Sequence, residues 1–301
     1  MSSPAAASRL LDPRLAAACS AVGFRTKRPV EGPVAGQHRS PLQGLSPEFV
    51  DYRDYTPGDD PKTLDWKAHA RSDRFYIKRF EEESNLRAML VVDDSASMAY
   101  RPPARPGDPT KFETAGRVAA ALASALLSQR DAVGLMTASD HATLELRPSA
   151  AGQQLARLVE TLEGRDCAGG TDLLAAVEEA AERAPRRSVL VVISDFLTDL
   201  DGLERALGRC RHKGHELVAV QVLDRDEVEL PFEGSVVFRD IEGEGELTAE
   251  PWAFRESYAE AMAAFRADLS GRVRAAGYAL WPVLTDEDLA KLLPRYLSER
   301  R

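Results

Sequence analysis

The chain has 301 residues, 44% of them hydrophobic, with 48 acidic against 39 basic side chains and a formal charge of −9. That length suits one large domain or two ordinary ones, and the acidic balance argues against a general nucleic-acid binder, which needs a basic excess. Three scattered cysteines, Cys19, Cys167 and Cys210, are odd in number and form no disulfide framework, so a reducing compartment is expected.

In chain order, residues 1–23 are alanine-rich and expected to form a helical segment with a frayed start. Leu15-Ala16-Ala17-Ala18-Cys19 is faintly like a lipoprotein cleavage box, but Asp12, Pro13 and Arg14 interrupt the apolar stretch that such a signal requires. No apolar run approaches the roughly 18 residues of a spanning helix. The expected location is cytoplasmic, with any membrane contact peripheral and made through a partner.

Residues 24–85 read as a small β-rich subdomain. Pro29, Pro33 and Pro41 with Gly32 and Gly36 suit loops and edge strands. Pro57-Gly58 fits the centre of a type II turn. Asp60-Pro61 fits an N-cap and first helical residue, leading to a short helix through Trp66 to Arg71 and a strand around Phe75 to Phe80.

From residue 86 strands alternate with helices. Strands are expected at 86–93, 132–139, 142–147, 188–194, 216–223 and 278–284. Helices are expected at 111–129, 151–163, 172–184, 201–212, 254–276 and 286–299. This order predicts an α/β domain over 86–301, a mainly parallel central sheet with helices on both faces. Residues 224–251 break the alternation. Val236-Val237-Phe238 and Glu246-Leu247 flank an acidic, glycine-containing turn, so an inserted β-hairpin is expected there, packing on the N-terminal subdomain.

Three segments of this domain carry candidate chemistry. Leu90-Val91-Val92 is followed by Asp93-Asp94-Ser95-Ala96-Ser97, a carboxylate and two hydroxyls at alternate positions beyond a buried strand. These are hard oxygen donors, suited to magnesium or manganese and not to zinc or copper, and open parallel sheets bind ligands just beyond strand ends. The same residue types also serve as turn formers and helix caps. Ala168-Gly169-Gly170-Thr171-Asp172 has two glycines, then a hydroxyl at the start of an alanine-rich helix. Ser188 to Ile193 is rich in β-branched residues and ends in Ser194-Asp195.

In this order the three segments resemble the metal-ion-dependent adhesion site of von Willebrand factor A (vWA) domains. The resemblance implies a Rossmann-like vWA fold. It also implies that Ser95 and Ser97 hold Mg2+ (or Mn2+) directly, Thr171 directly or through water, and Asp93 and Asp195 partly through water. In that family a carboxylate from a partner protein usually completes the shell.

A second resemblance is carried by Tyr52-Arg53-Asp54-Tyr55-Thr56-Pro57-Gly58-Asp59-Asp60, Leu64-Asp65-Trp66-Lys67, Ala70-Arg71 and Lys78-Arg79-Phe80. Lys111-Phe112-Glu113, Thr285-Asp286 and Leu292-Leu293 extend it. These residues are similar to the bacterial family called domain of unknown function fifty-eight, whose members are often encoded near MoxR-type AAA+ ATPases. Ala96 stands where glycine is commoner in that family, which removes no ligand. The tyrosines and Trp66 fit packing of a small subdomain, or a partner-binding surface if exposed.

An enzyme is not expected. A phosphatase that uses the strand-end aspartate needs a second carboxylate two positions on to protonate the leaving group, and that position is Ser95. There is no phosphate loop, dinucleotide fingerprint or nucleophile elbow. Cys210, His212 and His215 lack zinc-site spacing and suit a helix end, with Arg211, His212 and Lys213 complementing the dipole and Gly214 stopping the helix. The basic residues of 61–80 run into Glu81-Glu82-Glu83 and suit a solvated face. The expectation is a non-enzymatic, metal-dependent protein–protein interaction module. Its setting is a MoxR-type ATPase system, as an adaptor or substrate-recognition partner in protein assembly or remodelling. The alternatives are a metal-dependent, phosphatase-like hydrolase and a structural protein with a vestigial site.

Overall fold

The computed structural model describes residues 8–26, 86–239 and 245–300, and the backbone of four short strands at 38–39, 49–54, 76–80 and 83–84. The chain divides into two compact units, Arg28–Leu86 and Met1–Lys27 with Arg87–Arg301. In the smaller unit β1 (His38–Arg39) pairs antiparallel with β4 (Glu83–Ser84). Likewise β2 (Phe49–Asp54) pairs with β3 (Tyr76–Phe80). The turn expected at Pro57-Gly58, the Asp60 cap and the helix from Trp66 to Arg71 lie outside the described residues.

The larger unit is built on β5 (Arg87–Asp93), β6 (Ala132–Ala138), β7 (Ala142–Ser149), β8 (Val189–Ser194) and β9 (Glu216–Leu223). A separate hairpin, β10 (Val236–Arg239) and β11 (Glu246–Ala249), precedes β12 (Ala279–Leu284). The six sheet strands lie in the order β12-β9-β8-β5-β6-β7. All neighbours are parallel except β6 and β7. From β5 the chain runs outward through β6 and β7, then crosses back to β8 on the other side. The carboxyl ends of β5 and β8 therefore flank a topological switch point, where open α/β sheets leave a crevice.

Helices cover both faces. They are α1 (Pro13–Val22), α2 (Lys111–Ser128), α3 (Gln154–Glu163), α4 (Leu173–Arg183), α5 (Leu200–His212), α6 (Arg225–Glu229), α7 (Arg255–Ala275) and α8 (Leu289–Glu299). Side chains alternate across a strand, so Met89, Val91, Leu190 and Val192 face one way. They pack with α4, α5 and Leu269 and Val273 of α7. Leu90, Val92, Val191 and Ile193, also fully buried, take the alternate positions. The helix α2 packs on β5, β6, β8 and β9, with α1 against it and against α8. It is apolar nearly all round, as a helix sandwiched between a sheet and another helix must be. Its start is fixed by a capping box, in which Thr110 takes the Glu113 N–H and Glu113 takes the Thr110 N–H.

Sheet strands fall within two residues of their sequence expectation, and two helices start three residues late for local reasons. The Gln154 N–H turns back to Ala151, so α3 begins three residues late. Asp288 caps α8 by accepting from Ala290 N, while Glu287 takes the Leu284 N–H, which delays that helix to Leu289. The helix α6 was not expected. It opens the 224–251 insertion, held by a second capping box between Asp224 and Glu227, before the β10–β11 hairpin.

Candidate functional site

The cleft at the switch point brings together all five residues singled out by the motifs. Asp93 is the last residue of β5 and only 1% exposed. Its Oδ1 accepts from Ser95 N at 3.0 Å and from Thr171 Oγ1 at 3.3 Å, while Oδ2 accepts from Ser194 Oγ at 2.7 Å. The two serines stand at the start of a 3-10 turn, Ala96–Ala99, with their Oγ atoms 3.1 Å apart. Ser97 Oγ donates to Asp195 Oδ2 at 3.4 Å. Burial pushes the Asp93 carboxyl up to about 6, against the hydrogen bonds from Ser194 and Ser95. A carboxylate so desolvated gains much from a cation beside it.

Backbone hydrogen bonds lock the first two motif loops together. Ala96 N donates to Gly169 O at 3.0 Å and Ala168 N to Asp94 O at 3.1 Å. Gly169 has φ of +76°, and a Cβ there would stand 2.3 Å from Asp140 Oδ2. Glycine is therefore required on both counts. Asp140 Oδ1 in turn accepts from Gly170 N at 2.8 Å. Thr171 does not start the helix that follows. Asp172 is the N-cap of α4, accepting from Ala175 N, and this leaves the Thr171 hydroxyl free to face Asp93.

On the far side, Phe196 holds a left-handed backbone at φ 57° with its side chain buried. That conformation is uncommon for a bulky residue. It is fixed by a hydrogen bond from Phe196 N to Ser194 Oγ, and Asp195 Oδ1 caps the same bend by accepting from Leu197 N.

These residues fit a small hard cation. Neighbouring ligands of an octahedral magnesium lie about 3 Å apart, given bonds of about 2.1 Å. The observed spacings within the cluster are 3.1 to 3.4 Å. All donors are hydroxyl or carboxylate oxygens, with no thiolate or imidazole among them.

A fourth element of the site was named in the sequence only for its family resemblance and not as a site residue. Lys111, the first residue of α2, is completely buried, and its Nζ donates to Asp195 Oδ2 at 2.8 Å and to Glu227 Oε1 at 2.7 Å. Burial works against the ammonium charge, but Asp195 and Glu227 outweigh it and hold the Lys111 pKa above its ordinary value. Glu227 comes from α6 and its other oxygen accepts from Asp224 N at 2.8 Å. The available signal was the charge of Lys111 at a helix start, where the dipole disfavours a cation. Asp94 lies beneath the loop, 3.6 Å from Arg165, with its Oδ1 buried and without a hydrogen-bond partner.

The cleft itself has a volume of about 330 Å3 and is lined by Ser97, Tyr100, Thr171, Asp195, Glu227 and Arg239, among others. Its outer wall includes Leu197, which is half exposed, and Arg239 of the hairpin, whose neighbour Val237 is likewise half exposed. The Cys210, His212 and His215 segment forms no site. His215 is buried with Nε2 on Ala181 O and Nδ1 accepting from Ser188 N, and Gly214 turns the chain after α5 with φ of +79°.

Over residues 51–268 the chain matches the family described as "Protein of unknown function DUF58". It belongs to that family. Uncharacterized proteins of Mycobacterium tuberculosis and Mycobacterium bovis are each 32% identical over 298 residues, 96% of this chain and 91% of theirs. Similar solved structures include a conserved hypothetical protein BatB from Bacteroides thetaiotaomicron, 18% identical, covering 72% of this chain and 98% of that one with a TM-score of 0.49. A "von Willebrand factor type A" structure from Catenulispora acidiphila is 13% identical, covering 73% of this chain and 43% of that one at 0.39. No described helix of this DUF58 protein is long and apolar enough to cross a membrane.

Proposed function

We propose that this DUF58 protein is a non-enzymatic, vWA-like interaction module whose cleft binds a partner protein through Mg2+ (or Mn2+). The observation that carries this reading is the convergence of Asp93, Ser95, Ser97, Thr171 and Asp195, from three separate segments, in one cluster at the switch point, with Ser97, Thr171 and Asp195 lining an open cleft. Ser95, Ser97 and Thr171 would hold the ion through hydroxyls, and Asp93 and Asp195 would supply charge. Bound there, a divalent ion supplies a Lewis-acidic vertex for a partner carboxylate. Leu197, half exposed in the cleft lining, offers apolar contact there, as interface cores require. The chain's own part is to keep the donors pre-arranged, through the backbone bonds between the Asp94 and Gly169 loops.

A hydrolytic role is disfavoured by the cleft's chemistry. Among the described residues the one further acid lining it is Glu227, and both of its oxygens are held, by Lys111 Nζ and Asp224 N. It is therefore not placed to act as a general base. The resemblance to a family encoded near MoxR-type AAA+ ATPases makes such an ATPase system the proposed partner, with this protein as adaptor or substrate-recognition component. The test is manganese titration of wild type and Asp93→Ala followed by spin resonance, then capture of the cognate ATPase with and without EDTA. Single-site binding lost in the variant, with EDTA-sensitive capture, is expected. Equal capture in all conditions would sink the metal-bridged mechanism, and phosphomonoester hydrolysis abolished by Asp195→Ala would replace it.

A further inference from the structure

Lys111 is placed against two opposing costs. It is fully buried, and it stands at the positive end of α2. Its ammonium is shared between one carboxylate of the donor set, Asp195, and one outside it, Glu227, at nearly equal distances. Glu227 is itself fixed from two further directions. Its Oε2 accepts from Asp224 N, and its carbonyl accepts from Tyr258 Oη of α7 at 2.6 Å. Among the described residues the hydrogen-bonded cluster thus holds three carboxylates, Asp93, Asp195 and Glu227, with one ammonium among them, while Arg239 on the cleft wall is paired with Glu246.

We propose that Lys111 is a positioning residue that acts as an internal counter-cation, setting how tightly the cleft holds a divalent ion by how much of its charge falls on Asp195. This rests on the metal reading above. Glu227 divides the ammonium's attention, drawing it away from the donor set. With three carboxylates against one ammonium, a divalent ion brings the cluster to neutrality. Without the ammonium the loaded cleft would keep a negative charge, which binds the ion more tightly and repels an incoming partner carboxylate. Lys111 thereby trades metal affinity for partner affinity.

The ammonium and its partner Glu227 therefore give opposite signs when altered. Lys111→Met leaves Asp195 uncompensated and is expected to tighten manganese binding by about tenfold or more. Glu227→Gln hands the ammonium to Asp195 alone and is expected to weaken it by about tenfold. Lys111→Arg keeps the charge and should stay within about threefold of wild type. Manganese affinity of the full chain, read by spin resonance, tests all three, with urea melts to identify any variant that does not fold. If Lys111→Met fails to fold, the loss in Glu227→Gln together with rescue in Lys111→Arg decides the matter. A merely structural lysine loosens the loops in either variant, so tightening would not occur. Wild-type binding with both variants shifting the same way overturns the role of Lys111 alone. No binding by any of the proteins overturns the metal reading and this inference together.

Discussion

Two buried cations stand at opposite ends of the central sheet. At the carboxyl ends of the strands the Lys111 ammonium donates to two acids, Asp195 and Glu227. At the amino end Arg300 pairs with Glu216, donates Nε to Arg25 O at 3.0 Å, and lies 4.5 Å from the centre of the Phe24 ring and 5.9 Å from that of Trp281. Burial lowers the Arg300 pKa in spite of Glu216, whereas the two acids raise that of Lys111 despite burial. The difference lies in what each cation faces. Arg300 is enclosed by a carbonyl, two ring faces and one carboxylate, so its charge is balanced and its role is to fasten the last turn of the chain to the sheet. Lys111 sits in an excess of carboxylate beside an open cleft, so its surroundings retain an appetite for positive charge. Burial of a charge is therefore not by itself a mark of function; the local balance of charge is the better guide.

This contrast is open to attack at several points. The largest effect is expected from Arg300→Ala, which breaks the buried ion pair with Glu216 and empties the ring cage. It should cost about 3–5 kcal/mol in urea unfolding, by the same amount with and without magnesium. A magnesium-dependent loss would mean that the two ends of the sheet are coupled. Gly169→Ala, at the carboxyl end, imposes a positive φ on a Cβ and drives it into Asp140. About 1–2 kcal/mol of stability should be lost, and manganese binding should weaken with it. Asp172→Ala removes only the cap of α4, costing about 1 kcal/mol while leaving manganese affinity near wild type, because Thr171 and not Asp172 faces Asp93.

The amino end also carries a pH signature. Burial, foremost, holds His215 below its ordinary value near 6.5, so the unfolded chain takes up a proton there before the folded one. The stability that neutral His215 contributes is complete above that pH and is lost as pH falls below it. Comparing melts of wild type and His215→Asn between pH 7.5 and 5 should show a steeper fall in wild type; parallel curves would refute the assignment. The smallest stability change, within about 0.5 kcal/mol, is expected for Leu197→Ser with Val237→Ser. If the rim contacts a partner, capture drops even though folding does not.

Much of this arrangement was legible before folding. The alternation of β-branched runs with amphipathic segments marked the sheet strands to within two residues, because strand and helix periods are local properties of the chain. The five motif residues could be picked out because each lies at or shortly beyond a strand end or a glycine pair. Two local details were not. Residues 225–229 looked like the edge of a hairpin because a five-residue helix has too little periodicity to detect, and its capping box was the only cue. Thr171 looked like a helix cap until the adjacent Asp172 took that role, a choice between two good capping residues that composition does not decide.

The sequence by itself determined the class of fold, the hard-oxygen chemistry of the motif loops and the membership in DUF58, since these depend on residue type and short-range order. Only the tertiary structure decided which strand ends meet. The crossing from β7 back to β8 places Asp195 opposite Asp93, and it places Lys111 against Asp195 and Glu227, partners 84 and 116 residues away in the chain. No local pattern specifies such pairings, because they are stabilised by burial and charge only after the sheet has closed around them.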